Sequence, residues 1–184
     1  MAKIIKKKFF EIDIPILNEK LEAYAGSVNE LEGKTLKVDI TRKLKGKSVD
    51  FILDVRLVEG KAVAYPKKII LLPFFIKHMI HTGISYVEDS FQANTNESEA
   101  IVKPFFITRK KVSRSVLRAL RNSAKNWLVD YLKEKNNEEA FTEILSGQLQ
   151  RALSLRLKKI YPLAICELRV FEVKKLINKT SQTN

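Results

Sequence analysis

A single cysteine, Cys166, is the only thiol in the chain. No internal disulfide can form, and with no second thiolate to build a metal cluster the fold must be independent of oxidation, which fits the cytosol. Glycine and proline are also sparse, 6 and 5 residues in 184, and this excludes collagen-like and Pro/Gly-rich disordered chains. Long apolar runs are missing. The longest, Ile69 to Ile76, is broken by Pro73, whereas a membrane-spanning helix needs about 20 apolar residues. The basic N-terminus, Met1-Ala-Lys-Ile-Ile-Lys-Lys-Lys8, leads into Phe9-Phe-Glu-Ile-Asp-Ile14 with no sustained apolar region or small-residue cleavage site, so no secretion signal is expected.

Catalytic equipment is equally thin. His78 and His81 stand three apart, but a zinc-type site needs three or four ligands and only the distant Cys166 could join them. Glu88-Asp89, or Asp50 with Asp54, could hold Mg²⁺ as paired carboxylates do. Carboxylates that alternate outward on a strand are more often solvated or paired with lysine. There is no glycine-rich phosphate loop, nucleophile elbow or Cys/His pairing. The reading is a non-enzyme without cofactor or metal.

What is present is enough for a folded domain: 45% of residues are hydrophobic, well above the level of disordered chains. Residues 9 to 14, 34 to 41 and 48 to 57 alternate apolar and polar positions, the period of half-buried strands. Glu59-Gly60 offers a turn from the third of these into Ala62 to Leu72, and Ile84 to Ala93 with Ala100 to Thr108 make a second hairpin. Pro73 to Gly83 reads as a short helix. Ser113 to Lys133 makes a long one, anchored through Leu117, Leu120 and Trp127. Asn136 with Glu139 resembles a capping box opening a helix that closes at Gly147. Gln148 to Lys159 is a third C-terminal helix, and Ala164 to Val173 returns as a last strand. The expected fold is α+β, with a mostly antiparallel sheet, a helical C-terminal half and a final strand. Residues 1–178 are expected to form one domain and 179–184 a polar tail that frays.

Charge is the most informative property. Lys and Arg number 34 against 21 Asp and Glu, a net charge of +13 and a pI near 9.8, so the natural partner is a polyanion, nucleic acid before an anionic membrane. Residues 100 to 129 contain no acid yet hold Lys103, Arg109, Lys110, Lys111, Arg114, Arg118, Arg121 and Lys125. On a helix Arg114, Arg118, Arg121 and Lys125 share a narrow stripe, with Lys111 beside it. Like charges four apart repel by a few tenths of a kcal/mol per pair, so an unbroken cationic stripe is costly unless an anion neutralises it. A second segment supplies Arg42, Lys43, Lys45 and Lys47 on a loop, where Gly46 allows close approach of a phosphate. Arg151, Arg156, Lys158 and Lys159 add to the same side. Phe74-Phe75 and Phe105-Phe106 are candidate base-stacking residues, although paired phenylalanines in apolar strings belong more often to a core.

Four segments carry a family likeness: Leu36-Lys-Val-Asp-Ile-Thr-Arg-Lys-Leu-Lys-Gly-Lys-Ser-Val49, Tyr86-Val-Glu-Asp-Ser-Phe91, Lys103-Pro-Phe-Phe-Ile-Thr-Arg-Lys-Lys-Val-Ser-Arg114 and Ile160-Tyr-Pro-Leu163. In this order they resemble the archaeal and eukaryotic small-subunit ribosomal protein 3a family over residues 8 to 175, the archaeal form more closely. The long basic N-terminal extension and long C-terminal tail of eukaryotic members have no counterpart. The resemblance implies a cytoplasmic, structural constituent of the small ribosomal subunit, active in translation and bound to small-subunit ribosomal RNA. It places that constituent on the platform near the messenger RNA exit, beside neighbouring small-subunit ribosomal proteins, with messenger RNA as a further partner and no membrane. It also implies a strongly curved, barrel-like sheet flanked by helices. A free-standing RNA-processing or RNA-chaperone factor is the alternative.

Overall fold

In the computed structural model the described residues are 7–44 and 46–176. They form nine strands and four helices, divided between two compact units. The first unit comprises the described residues up to Val38 together with Phe51–Lys67, and the second Asp39–Asp50 together with Lys68 through residue 176.

The first unit is a strand layer. Strand β1 (Lys8–Ile14) pairs antiparallel with β2 (Glu19–Ala25) and parallel with β5 (Lys61–Leu71) through Ile12↔Ala62 and Asp13↔Val63. On the other side of β5 lies β4 (Val49–Val58), followed by β3 (Thr35–Asp39). Alternation decides which face is covered: Ile12, Ile14, Phe51, Leu53, Val55, Ala62 and Ala64 are buried. Glu59 and Gly60 join β4 to β5 with φ of 51° and 77°. Two consecutive positive φ values are the requirement of a type I′ turn, whose twist matches that of the strands it joins. Glu59 therefore occupies the left-handed region at a cost that glycine avoids.

In the second unit the end of β5 pairs with β9 (Leu163–Leu176) through Ile69↔Phe171, and β9 pairs along its length with β8 (Ser98–Thr108). The far side of β8 carries β6 (Tyr86–Glu88) and β7 (Phe91–Asn94), both antiparallel. The expected second hairpin thus has a first arm split at Asp89-Ser90. Pro104 stands inside this central strand, a position proline normally cannot hold because it has no N–H for the ladder. The β8/β9 register shifts between Lys103 and Pro104, so the proline sits at an irregularity where the ladder is interrupted. Helix α1 is Pro73–Met79, α2 Arg114–Lys133, α3 Asn137–Ser146 and α4 Gln148–Leu157. Helix α2 packs on β6, β7 and α4, and α4 on β9 and α3. The Glu139 carboxylate accepts the Asn136 N–H at 3.4 Å, and Gly147, at φ 75°, both closes α3 and opens α4.

The α+β class, the mostly antiparallel sheet, the helical C-terminal half and the final strand are as expected. The sheet is mostly antiparallel but unclosed: in the first unit the ladder ends at β2 and β3, in the second at β6 and β7, and no pairing joins these ends among the described residues. Strand β2 was not expected. Its sequence, Glu-Lys-Leu-Glu-Ala-Tyr-Ala, has the composition of a helix former, and pairing with β1 overrides that preference. Helix α1 stops at Met79, with Ile80 extended, rather than running to Gly83. The tail at 179–184 lies outside the described residues.

Candidate nucleic-acid interface

Net charge is unequal between the two sets of segments. Residues 1–38 and 51–67 hold 10 Lys and Arg against 8 Asp and Glu, whereas residues 39–50 and 68–184 hold 24 against 13, so +11 of the +13 belongs to the second set. Within the second unit the acid-free segment becomes a strand end, a pinned loop and a helix. Strand β8 leaves the sheet at a further register irregularity, between Ile107 and Thr108, and bulges of this kind re-aim the following chain.

The loop after it is held from beneath by Thr108, which is fully buried. Its Oγ1 lies 2.8 Å from the Ser85 carbonyl and 2.7 Å from the Lys110 carbonyl, and accepts the Ser85 N–H at 3.1 Å. The Lys111 N–H donates to the Gly83 carbonyl at 3.0 Å and the Val112 N–H to Ser85 Oγ at 3.3 Å. Backbone polar groups are thereby satisfied inward while Arg109, Lys110 and Lys111 stay exposed. Thr108→Val keeps the shape but strands the Ser85 N–H. It is expected to cost about 1 to 3 kcal/mol and to speed amide exchange at Lys111 and Val112. Unchanged stability and exchange would show that the pin is idle.

Helix α2 continues the cationic surface. Ser113 is its N-cap and Arg114 its first residue, and no acid occupies the first turn. This runs against the usual charge preference, because the helix N-terminus is its positive end. Arg114, Arg118, Arg121 and Lys125 are all exposed, lie within an arc of about 60° and extend over about 17 Å. Among the described residues none of them, nor Arg109, Lys110 or Lys111, is in an ion pair. Lys125 Nζ lies 5.9 Å from the centre of the Phe91 ring. The row ends there for a geometric reason. Leu132, about five turns after Arg114 and so at the same angle, is buried, as are Leu120, Ala124 and Leu128. The packed stripe drifts round the helix and covers the track that the cations occupy earlier.

Other expected residues are placed differently. Lys111 is in the loop, not beside the stripe on the helix. Lys103 is half-buried in β8, six residues and about 20 Å of extended chain from Arg109. Arg42 and Lys43 are exposed on the turn after β3, Lys45 lies outside the described residues, and Lys47 Nζ is 2.5 Å from Glu167 Oε1. This second segment faces α3 and α4 across a cavity also lined by Arg151. Phe105 and Phe106 are fully buried, whereas Phe74 is 61% exposed. Sequence reasoning missed other exposed aromatics: Phe9 and Tyr24, cross-strand partners with ring centres 5.1 Å apart, and Tyr86 at the edge of β6. Their exposure depends on edge pairing, which no local pattern announces.

The carboxylates that could have served a metal are separated. Glu88 pairs with Arg169 at 2.9 Å, Asp54 with Lys67 at 3.5 Å, and Asp50 is buried. Among the described residues no three His, Cys, Asp or Glu side chains gather, and no helix is long and apolar enough to cross a membrane. Burial, helped by the adjacent Glu167 charge, pushes the Cys166 thiol well above its ordinary range, which leaves it a protonated and unreactive group.

The Ribosomal S3Ae family matches residues 2–176, nearly the whole chain. Among curated proteins, the small ribosomal subunit protein eS1 of Nanoarchaeum equitans (strain Kin4-M) is 24% identical over 174 residues, covering 90% of this chain and 88% of that protein. The protein of the same name from Haloquadratum walsbyi (strain DSM 16790 / HBSQ001) is 28% identical over 163 residues, covering 83% of this chain and 72% of its own. A cationic surface from Arg109 to Lys125, without ion pairs among the described residues, agrees with that kinship. The chain belongs to the ribosomal S3Ae family, and as such it is a small-subunit ribosomal protein and not an enzyme.

Proposed function

We propose that the chain is a structural constituent of the small ribosomal subunit that holds small-subunit ribosomal RNA through the surface running from Arg109 to Lys125. One observation carries this reading. Lys110, Lys111, Arg114 and Arg118 crowd the positive end of α2 with no acid in its first turn and no ion pair among the described residues. Both the helix dipole and the mutual repulsion disfavour that arrangement in the free protein. A phosphate backbone relieves both at once, and backbone N–H groups at the helix start add donors for it. Contacts of this kind position RNA without reading sequence. On the family likeness, the address is the platform near the messenger RNA exit, among neighbouring ribosomal proteins and in the cytoplasm.

The test is a salt titration of RNA binding combined with sedimentation of assembled subunits. Log K should fall linearly with log salt, with a slope of about −0.7 to −0.9 per phosphate contacted, and the protein should stay with small subunits through a high-salt wash. Salt-insensitive binding would remove the phosphate-contact reading. Release in the wash with binding intact would favour a free-standing RNA factor instead.

A further inference from the structure

In the first unit, the outer face of β1 and β2 gathers aromatic and acidic groups. Phe9, Glu11 and Asp13 alternate along β1 on this face, opposite Tyr24, Glu22 and Lys20 of β2, while Ile12, Ile14 and Ala25 cover the buried side. Phe9 and Tyr24 are 69% and 58% exposed with ring centres 5.1 Å apart, so two aromatic rings stand together in solvent. A cation already lies over one of them: Lys7 Nζ is 5.9 Å from the centre of the Tyr24 ring.

Charge on this face is reversed. In a chain of net charge +13, Lys7, Glu11, Asp13, Lys20 and Glu22 set three acids against two cations, and Glu11 stands directly opposite Glu22, a like-charge pairing that destabilises a sheet. Lys20 neutralises Glu11 at 3.1 Å and Asp13 at 3.8 Å, which leaves Glu22 exposed and in no ion pair among the described residues. The edge beside it is open too. Strand β2 ends the ladder, pairs with β1 in seven consecutive registers without a bulge, and contains no proline. Exposed edges are normally blunted by a bulge, a proline or a free lysine charge. The lysine of β2 is tied to Glu11 and Asp13 instead. From residues 20–25 no backbone hydrogen bond runs to anything but β1 among the described residues.

The acids of this face repel a phosphate backbone, and a second copy would bring another chain of net charge +13 to the same edge. A cationic extended segment satisfies every group at once. An added strand lies about 4.8 Å from β2 and turns alternate side chains to the face of Tyr24 and Glu22. We propose that β2 receives an extended, arginine-bearing segment of a neighbouring protein of the small subunit, with a guanidinium stacked on the Phe9–Tyr24 pair and bonded to the Glu22 carboxylate. Arginine suits both contacts, since its planar group lies on aromatic faces and its N–H fork matches a carboxylate. Main-chain hydrogen bonds hold such a strand whatever its sequence, and the side-chain contacts select the residue. Protein docking on the first unit is independent of RNA binding along α2.

The test uses the full chain assembled into small subunits, with a photoreactive benzophenone side chain replacing that of Phe9. Irradiation and peptide mass spectrometry should place the cross-link in a protein segment that contains arginine, and Glu22→Gln should lower its yield about 3- to 10-fold. Exchange of the outward amides of residues 20–25 should also slow at least about tenfold in the subunit relative to the free chain. Should the benzophenone chain fail to assemble, amide exchange in the native chain decides alone. The proposal is overturned by cross-linking to ribosomal RNA, to a second copy or to a segment without arginine, by the absence of any cross-link in assembled subunits, or by β2 amides that exchange as fast as in the free chain. Glu22→Gln should leave the salt dependence of RNA binding as in the native chain, so loss of the salt slope in the native chain would mark failure of the RNA-binding reading and not of this site.

Discussion

Replacing Arg114, Arg118, Arg121 and Lys125 together by glutamine is expected to lower RNA affinity about a thousandfold at physiological salt. The figure follows from counterion release. Four lost contacts flatten the log–log salt dependence by about 3 to 4, and with the charge contribution vanishing near 1 M salt this amounts to about three decades at ~0.15 M. Stability should not fall. All four side chains are exposed, without ion pairs among the described residues, and glutamine has nearly the helix propensity of arginine. Removing their mutual repulsion offsets the loss of the Lys125–Phe91 contact, about 0.5 to 1 kcal/mol at an exposed site, and should leave the thermal midpoint nearly unchanged. Filter binding across a salt series and a thermal melt of the same variant check the two halves. An affinity change below tenfold would mean that the RNA lies elsewhere. A large loss of stability would mean that the row is part of the packing.

The opposite profile is expected for Phe171→Ala. Phe171 on β9 and Phe141 on α3 are both fully buried, with ring centres 5.0 Å apart at 80°, an edge-to-face contact that joins helix to strand. Truncation should cost about 3 to 5 kcal/mol, a large share of the ~5 to 15 kcal/mol that holds a domain folded. Trp127→Ala should cost only about 1 to 2 kcal/mol. The tryptophan is half-buried and stacks on Tyr131 at 4.6 Å, so it loses one ring contact and part of its burial. Tyr131 is itself fixed by a 2.8 Å hydrogen bond to Glu143. Urea unfolding of both variants ranks them. Should Trp127→Ala prove the more damaging, the anchoring of α2 has been assigned to the wrong residues.

That reversal concerns how far a residue's size predicts its role. The sequence presents Trp127 as the natural anchor of the long helix because it is large and on the apolar side. The residues that are fully covered are Leu120, Ala124, Leu128 and Leu132, spaced four apart. A row at i, i+4 advances about 40° per step round the helix, so it meets α2's neighbours in succession along its length, and Trp127 stays at its margin. A propensity argument fails in the same way at β2, where pairing with β1 decides the conformation of a segment with helical composition.

The amino-acid order by itself determined the features that depend on near neighbours. The period-two faces of β1, β4 and β5, the positive-φ turn at Glu59-Gly60, the cap at Asn136 and the stop at Gly147 follow from sterics and hydrogen bonding within a few residues. The absence of acids between 100 and 129 also made the cationic character of that segment legible. Tertiary structure alone decided which distant residues meet. It set the open sheet, the burial of Thr108 that pins the basic loop, the pairing of Lys47 with Glu167, and the cavity that gathers Ile69, Gln150 and Leu168. These contacts join positions up to 120 residues apart. They are selected by the burial and hydrogen-bond satisfaction of the whole unit, a balance that no window of sequence contains.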